Sequence, residues 1–296
     1  MNIKKWLISL LLLAGLLGLT GCTMAGAPAA SKGPDYLRDS VLDQSGLKVL
    51  FLDVGQGASQ LLVSPNGKTM LIDAGDNDKE QLMLDYMKKY GITKLDIVIG
   101  THPDADHIGG LDKVIDHLDI GKVYLPKASS NTKTYESLLT SIKQKGLKVT
   151  TAKAGVKLDW DPDVQVEMLA PVKSYKDNNN NSAVVRLTHG ANAILLTGDA
   201  ESESEQDMIA LKAELSADLM LVGHHGSNSS TTAAFLNKVK PKAAVIQVGK
   251  GNKYGHPKEK VLQRLEKQGV KVYRNDEQGT IAATSDGKQI RMQTER

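Results

Sequence analysis

Ten residues, THPDADHIGG at positions 101–110, decide the fold of this chain. They directly follow DIVIG, residues 96–100, an apolar run that predicts a buried strand. Two imidazoles and two carboxylates stand within six positions here, and groups at the end of a strand converge on one point. A polar loop that caps a helix would explain one of these four residues. The full set predicts a site for zinc, manganese or iron rather than for calcium, which binds oxygen ligands.

The segments around this loop predict two series of strands, each followed by alternating helices and strands. Strand-like apolar runs, bounded by glycine, proline and asparagine turns, occupy residues 47–54, 59–64, 69–73, 164–169, 183–188, 193–197, 217–222, 243–248 and 270–273. Helical periodicity is found in residues 78–90, 231–239 and 258–268. Two such halves predict two sheets packed face to face, with helices on the outside.

The segment 101–110 resembles the His-x-His-x-Asp-His signature of the metallo-β-lactamase fold hydrolases, with Asp104 where the second histidine usually stands. This variant, followed by Ile-Gly-Gly, is similar to the extracytoplasmic hydrolase-like domain of ComEC-type competence proteins. The likeness extends over nearly the whole predicted domain. It is carried by FLDVGQG (51–57), LIDAG (71–75), NS (181–182), LLTGD (195–199), GHHGS (223–227) and YGHP (254–257).

This resemblance implies an α/β fold with αββα layers and a site for two divalent metal ions, Zn²⁺ or Mn²⁺, at one edge of the sandwich. His102 and Asp104 would hold the first metal, and Asp106 and His107 the second, with Asp199 bridging both. Two neighbouring metals can activate water and stabilise a developing oxyanion, so that no protein nucleophile is needed. The implied activity is metal-dependent hydrolysis, with Asp106 among the catalytic residues.

Three further histidines and one aspartate are candidates for this site. His224 and His225 follow a predicted strand, where neighbouring side chains point to opposite sides, so one of them is expected on the metal. We favour His225, with His224 contacting a ligand or the substrate. His256 is interpreted as catalytic, by stabilising the transition state or protonating the leaving group, and the alternative is a surface loop histidine. Asp73 is expected to orient a ligand imidazole.

Two positions depart from the family pattern. The segment DNNNNS, residues 177–182, lacks the histidine that often completes the first metal site. Because an amide oxygen is a poor zinc ligand, that site is expected to be weak, manganese-like or filled only with substrate. From this segment, Asn181 and Ser182 are predicted to contact the ligands or the substrate. Ala58 stands where an acid is usual.

The N-terminus predicts export and lipid attachment. Two lysines, an apolar run over residues 6–19 and the tetrad LTGC (19–22) resemble the signal and lipobox of bacterial lipoproteins. Residues 1–21 are therefore predicted to be a signal peptide, with the membrane contacted through lipid on Cys22 at the extracytoplasmic face. A spanning helix would need about 20 apolar residues, and a stray cysteine in an ordinary signal is the other alternative. Residues 22–46 read as a flexible tether and residues 47–296 as the hydrolase domain.

Composition narrows the classes of function. Cys22 is the only cysteine, which excludes an intramolecular disulfide and a cysteine ligand. Removal of Lys4 and Lys5 with the signal leaves 35 of the 37 basic residues against 34 acidic ones, so no overall basic field indicates a polyanionic partner. Six lysines around the His256 loop form either a local basic strip or a solvated face. They are Lys238, Lys240, Lys242, Lys250, Lys253 and Lys258.

The leading functional hypothesis rests on the resemblance and is a metal-dependent phosphodiesterase or nuclease outside the cytoplasm, with DNA as the first candidate substrate. One alternative is hydrolysis of another envelope ester, such as a teichoic acid phosphodiester or a lactone. The other is a non-catalytic lipoprotein that keeps the fold for binding. No protein partner is indicated.

Overall fold

The computed structural model describes residues 45–128 and 130–296. The predicted signal, Cys22 and most of the predicted tether lie outside these residues. The strands, in chain order, are β1 (Leu47–Phe51), β2 (Gln60–Val63), β3 (Thr69–Ile72), β4 (Lys94–Ile99), β5 (Asp119–Pro126), β6 (Val149–Ala152), β7 (Lys157–Asp161), β8 (Val164–Ala170), β9 (Val184–His189), β10 (Asn192–Leu196), β11 (Leu219–Leu221), β12 (Ala243–Ile246), β13 (Lys271–Arg274), β14 (Ile281–Ser285) and β15 (Ile290–Thr294).

Most helices connect the parallel strands, and the short α2 lies within the segment 101–110, the metal loop. They are α1 (Glu80–Lys89), α2 (Ala105–Ile108), α3 (Leu111–His117), α4 (Lys133–Gln144), α5 (Ser202–Ala210), α6 (Ala233–Val239), α7 (Glu259–Lys267) and α8 (Asn275–Gln278), with short 3-10 turns at Asn77–Lys79, Asn179–Asn181 and Gly223–Gly226. In the part of the chain that the structure describes, no helix is both long enough and apolar enough to cross a membrane.

Two sheets form the centre of the domain. The first has eight strands in the order β15-β14-β1-β2-β3-β4-β5-β6, and the second has seven in the order β13-β12-β11-β10-β9-β8-β7. Strands β3 to β6 are parallel in the first sheet, and β10 to β13 are parallel in the second. Because the carboxyl ends of parallel strands share one edge, the loops that follow them come together there.

Both faces of each sheet are covered, which explains the continuous burial of strands such as β1. Phe51 and Val49 point toward the second sheet and pack in one core with residues such as Val185 and Leu196. Leu50 points the other way and packs with side chains of α1, α3 and α4. Alternation along the strand therefore supplies two cores at once.

A third core covers the outer face of the second sheet. Met220 and Leu195 from that sheet pack there against Met208, Phe235 and Val261 of helices α5, α6 and α7. The layers are thus helix, sheet, sheet and helix, and the predicted αββα architecture is confirmed.

The sequence analysis missed one connection between the two halves. Strands β14 and β15 return to the first sheet, where β14 pairs with β1 in antiparallel register from Leu47↔Ser285 to Phe51↔Ile281. The prediction of two separate halves was therefore incomplete. IAATS, residues 281–285, is rich in alanine, which has little strand preference, and its pairing depends on a partner more than 200 residues away.

Candidate metal centre

The metal loop, residues 101–110, follows β4, and two other loops hydrogen-bond to its backbone. The Ala58 amide donates to the backbone oxygen of Asp106 over 3.1 Å, and the Ala74 amide donates to that of His107 over 2.7 Å. Gly57 has φ +139°, and a Cβ placed there would collide with the Asp106 carbonyl. The glycine-rich turn after β1 thus fixes where Asp106 and His107 stand.

Asp73, at the end of β3, organises the loop through both of its carboxylate oxygens. The side chain is fully buried. Oδ1 accepts from the Thr101 amide over 2.7 Å, and Oδ2 accepts from the Thr101 hydroxyl over the same distance. Oδ2 also lies 2.7 Å from His107 Nδ1. Asp73 therefore stands where the sequence analysis expected a residue that orients a ligand imidazole.

The tautomers of His107 and His225 follow from the acceptors at their Nδ1 atoms. His107 Nδ1 faces the Asp73 carboxylate, and His225 Nδ1 lies 2.8 Å from the Gln247 backbone oxygen. Each Nδ1 must carry a proton to make these contacts, so in the neutral ring each Nε2 presents a lone pair. The two Nε2 atoms lie only 3.3 Å apart.

His102 and His224 are oriented in the same way. The Thr101 hydroxyl donates to Asp73, so it accepts from His102 Nδ1, which lies 3.1 Å away. His224 Nδ1 lies 2.9 Å from the Glu201 carboxylate. In all four imidazoles, Nδ1 therefore donates a hydrogen bond to an acceptor of the protein, and Nε2 remains available for another partner.

The four Nε2 atoms converge on Asp199, which follows β10 and is 4% exposed. The distances to its carboxylate oxygens are 3.2 Å for His107, 3.5 Å for His225, 3.7 Å for His224 and 4.0 Å for His102. The carboxylates of the metal loop approach the same group: Asp106 Oδ2 lies 3.4 Å from His225 Nε2, and Asp104 Oδ2 lies 3.6 Å from His102 Nε2.

This donor set fits a metal centre. Two groups have ligand atoms within 4.8 Å of one another, namely His102, His107 and Asp199, and Asp106, His107 and His225. Lone pairs that face one another or a carboxylate at such distances repel unless a cation lies between them. His102 Nε2 is buried, and nothing in residues 45–128 or 130–296 hydrogen-bonds to it. Imidazole and carboxylate donors suit zinc, manganese or iron.

The electrostatics of the protein alone support the same interpretation. Burial disfavours charge on Asp106, but the hydrogen bond with His225 and the charge of His107 lower the pKa of Asp106 to about 2. Burial likewise opposes ionisation of Asp199, yet the charges of His107 and His225 hold its pKa well below the ordinary value. Despite burial, Asp199 and Asp73 raise the pKa of His107. The carboxylates therefore attract positive charge to the point where the Nε2 atoms meet.

The geometry of the His224-His225 pair corrects one premise. Both residues have positive φ, 48° and 54°, within the turn Gly223–Gly226, so the segment is not extended and the side chains do not point to opposite sides. His225 is buried and meets Asp106, while His224 is partly exposed and still directs Nε2 at Asp199. A left-handed turn at two non-glycine residues is uncommon, so the sequence did not indicate it.

The asparagine-rich segment contributes differently from the prediction. Ser182 lies at the site, since its hydroxyl is 3.3 Å from His102 Nδ1 and accepts from the Asp199 amide over 3.1 Å. Asn181 does not reach the ligands, because its amide binds the backbone of Tyr175 and Asp177. Its predicted contact with a ligand residue is not seen among the described residues, and its contact with substrate stays a prediction. Instead Asn178 donates to Asp104 over 2.6 Å.

His256 stands at the mouth of the site, with its ring 5.7 Å from that of His224. Its Nδ1 is buried, and no described residue hydrogen-bonds to it. Burial, together with the positive charges of His224 and His225, lowers the pKa of His256 to about 4. The ring is therefore uncharged at neutral pH.

Sequence reasoning did not single out the groups that hold the ligand imidazoles. These are Thr101, Glu201 and the Gln247 carbonyl. Thr101 opens the segment 101–110 and Glu201 comes two residues after Asp199, and this closeness to the ligands is the one signal that could have indicated them. The Gln247 carbonyl, directly after β12, leaves no signature in side-chain identity.

The six lysines that form one cluster in sequence separate in space. Lys242 binds Asp218 over 2.8 Å, and Lys240 lines a cavity of about 280 Å³ with Arg186 and Asn192. Lys253 and Lys258 belong to the His256 loop, where Lys258 donates to the Tyr254 carbonyl over 2.6 Å. Because Lys240 and Lys242 precede β12 while Lys250, Lys253 and Lys258 follow it, the geometry favours a solvated face over one strip through all six lysines.

A family model described as the metallo-beta-lactamase superfamily matches residues 52–250. The chain belongs to this superfamily, and with this metal centre the protein is a metal-dependent hydrolase. It is 33% identical over 252 residues to ComE operon protein 3 of Bacillus subtilis (strain 168), covering 79% of this chain and 32% of that protein. It is 31% identical over 220 residues to Recombination protein 2 of Haemophilus influenzae, covering 72% of this chain and 26% of that protein. The resemblance to ComEC-type hydrolase domains is thereby confirmed.

Solved structures agree on the fold. Igni18, described as a novel metallo hydrolase from the archaeon Ignicoccus hospitalis, superposes with a TM-score of 0.54 at 18% identity, covering 79% of this chain and 98% of that one. The chain spans about a third of the length of the curated relatives it matches.

Proposed function

We propose that the protein is a phosphodiesterase that cleaves nucleic-acid strands, with DNA as the first candidate, using two divalent metal ions, Zn²⁺ or Mn²⁺. The observation that carries the proposal is the convergence of four imidazole Nε2 atoms on Asp199. When bound, such ions supply a polarised phosphoryl oxygen and a water of lowered pKa. The names of the curated relatives, an operon protein of the ComE series and a recombination protein, favour nucleic acid as the substrate.

The residues at the site have distinct parts in this proposal. His102 and Asp104 would hold one metal, and Asp106, His107 and His225 would hold the other, with Asp199 close enough to both groups to serve either. Asp73 keeps the His107 lone pair directed inward. His256 stands 5.7 Å from the His224 ring at the mouth of the site, a position that suits either of its two predicted roles, hydrogen bonding to the developing charge or protonation of the leaving group.

We further propose that the protein works at the outer face of the cell membrane, anchored by lipid on Cys22. A Cys22→Ser variant tests this part by itself. Detergent phase partitioning of the full chain should move from the detergent phase to the aqueous phase in the variant, and metabolic labelling with a fatty acid should be lost. Labelling that persists in Cys22→Ser would contradict the anchor without touching the hydrolase.

The catalytic proposal is tested on the purified full chain by elemental analysis and by substrate profiling with added Mn²⁺ or Zn²⁺. We expect about two metals per chain and cleavage of single-stranded or plasmid DNA. Asp199→Asn should lower this cleavage by at least about 100-fold, more than is usual for a residue that only orients a ligand. Asp116→Asn, exposed on α3, is the matched control and should retain full activity.

The other outcomes separate the alternatives. If the protein cleaved lactones or polyol phosphodiesters and left DNA intact, its substrate would be another envelope ester rather than nucleic acid. If the protein retained no metal and Asp199→Asn bound DNA as tightly as the wild type, the protein would be a non-catalytic binding module.

A further inference from the structure

The loop that carries His256 also presents an exposed aromatic ring. Tyr254 is 49% exposed, and it is the one aromatic residue among the large apolar side chains that are so exposed in the described part of the chain. An exposed aromatic face beside a candidate metal centre offers a surface on which a flat group can stack.

Tyr254 is connected to the metal centre through two imidazoles. Its ring is stacked on His256, with centroids 5.8 Å apart and planes 24° apart. His256 in turn meets His224 edge-on at 5.7 Å, and His224 Nε2 lies 3.7 Å from Asp199. A flat group bound on Tyr254 would thus lie at the rim of the site, two rings away from the reacting centre.

Hydrogen bonds fix the loop in the conformation that exposes this ring. Asn252 donates to the carbonyls of Gly249 and His256 over 3.0 and 2.7 Å, and it accepts from the His256 amide over 3.0 Å. Lys258 donates to the Tyr254 carbonyl over 2.6 Å. A platform held in place before binding loses little conformational entropy when a ligand arrives.

A cation accompanies the ring. Lys253 Nζ lies over the Tyr254 ring, 5.2 Å from its centre, and because the side chain is exposed it is free to move aside from the ring when a base stacks there. No carboxylate of the described residues forms an ion pair with it. An aromatic face beside an uncompensated ammonium group matches a nucleobase followed by its phosphate.

We infer that Tyr254 and Lys253 form a nucleotide subsite at the rim of the metal centre. Tyr254 stacks a base of a single-stranded nucleic acid, and Lys253 contacts a neighbouring phosphate. This inference rests on the proposed function and narrows it, because it makes a strand with accessible bases the preferred substrate over one that is wholly paired. Stacking is tolerant of base identity, so we expect little sequence preference.

Binding of short strands tests the subsite independently of catalysis. Fluorescently labelled thymidine tetramers and abasic tetramers of equal charge, both with phosphorothioate linkages that resist cleavage, are titrated with the full metal-loaded chain. We expect the thymidine strand to bind more tightly. Tyr254→Ala should weaken that binding by about 5- to 100-fold and leave the abasic strand unaffected, whereas Tyr254→Phe should keep the preference. Lys253→Gln should weaken both strands alike.

Three results would overturn the subsite. They are equal affinity of the wild-type protein for the two strands, an equal loss for both in Tyr254→Ala, and no binding of either strand. Tighter binding of the abasic strand would instead indicate a sugar or polyol ester. Cleavage of ordinary DNA by the same samples is scored separately. Cleavage without base preference overturns the subsite alone, and base preference without cleavage overturns the proposed phosphodiesterase alone.

Discussion

At the scale of single residues, the metal centre depends on the groups behind the imidazoles as much as on the imidazoles themselves. The dense motif at residues 101–110 predicted the metal loop because ligand residues are easily recognised by type. The acceptors behind them are two carboxylates, a hydroxyl and a backbone carbonyl, and they come from positions up to 174 residues apart, Asp73 and Gln247. Only the folded chain brings them together, so the sequence predicted the ligands better than their orientation.

Asp73→Asn should weaken metal binding by about 10- to 100-fold. Both oxygens of Asp73 accept hydrogen bonds, from the Thr101 amide and from His107 Nδ1, but asparagine has only one oxygen. Its NH₂ group would face a second N–H donor, so the tautomer of His107 would no longer be fixed. Competition with a chromophoric chelator measures the affinity. Asp116→Asn serves as the control, and equal affinity in the two variants would contradict the orienting role of Asp73.

Gly57→Ala should reduce hydrolytic activity through the position of Asp106. The added Cβ meets the Asp106 carbonyl, so the metal loop must shift. Gly67→Ala is a matched control, because Gly67 also has positive φ, +77°, but nothing lies within 4 Å of its added Cβ. Both variants should lose about 1–3 kcal/mol of stability from backbone strain. Only Gly57→Ala should also lose activity per folded molecule. Thermal unfolding gives the folded fraction of each variant, and kcat corrected for that fraction gives the activity.

At the scale of elements, the two sheets are joined by a hydrogen-bonded cluster at Asp161, the last residue of β7. Its carboxylate accepts from Ser64 over 2.6 Å, from Asn66 over 3.1 Å and from the Asp163 amide over 2.9 Å. Ser64 and Asn66 belong to the turn after β2, in the other sheet. Burial opposes the charge on Asp161, but these donors lower its pKa.

Asp161→Asn should therefore destabilise the protein in a pH-dependent way. A carboxyl group whose pKa is lowered by folding contributes stability above its ordinary pKa near 4, and this contribution is lost as the pH falls through the lowered folded-state value. We expect a loss of about 1–2 kcal/mol at pH 7 that shrinks below about pH 4. Urea unfolding at several pH values measures it. Asp159→Asn, exposed on the same strand, should show no such loss, and a pH-independent effect of Asp161→Asn would contradict the argument.

Strand and helix positions followed well from periodicity, since most predicted segments overlap an observed element within a few residues. The exceptions have physical causes. Strand β14 has a composition that favours no particular structure, and it is a strand because β1 and β15 lie on either side of it. The turn at His224 and His225 is imposed by its surroundings rather than by local preference.

At the scale of the whole molecule, the metal centre draws ligands from both sheets. His102 and His107 follow β4 of the first sheet, while Asp199 and His225 follow β10 and β11 of the second. A bound metal therefore links the two layers, in addition to the shared apolar core between them. The edge where these loops meet was predictable, because the carboxyl ends of parallel strands are where such sites form.

Metal loading should accordingly stabilise the entire domain. A ligand present at about 100 times its dissociation constant adds about 2.7 kcal/mol, which for a domain of this size raises Tm by about 5–10 °C. Differential scanning calorimetry with Mn²⁺ or Zn²⁺, and then with excess chelator, checks this. Asp199→Asn should show a much smaller shift than Asp116→Asn, and a full shift in Asp199→Asn would exclude Asp199 as a ligand.

The pairing of β14 with β1 has a consequence for the order in which the chain can fold. One edge of β1 stays unpaired until residues 281–285 have left the ribosome, so the first sheet cannot close before then. Until then an apolar strand offers open backbone hydrogen-bonding groups to any other extended segment. Nascent chains released before residue 281 should therefore aggregate, although they already contain every residue of the metal centre. Residues 281–285 thus act as a covalently attached partner that protects the first strand.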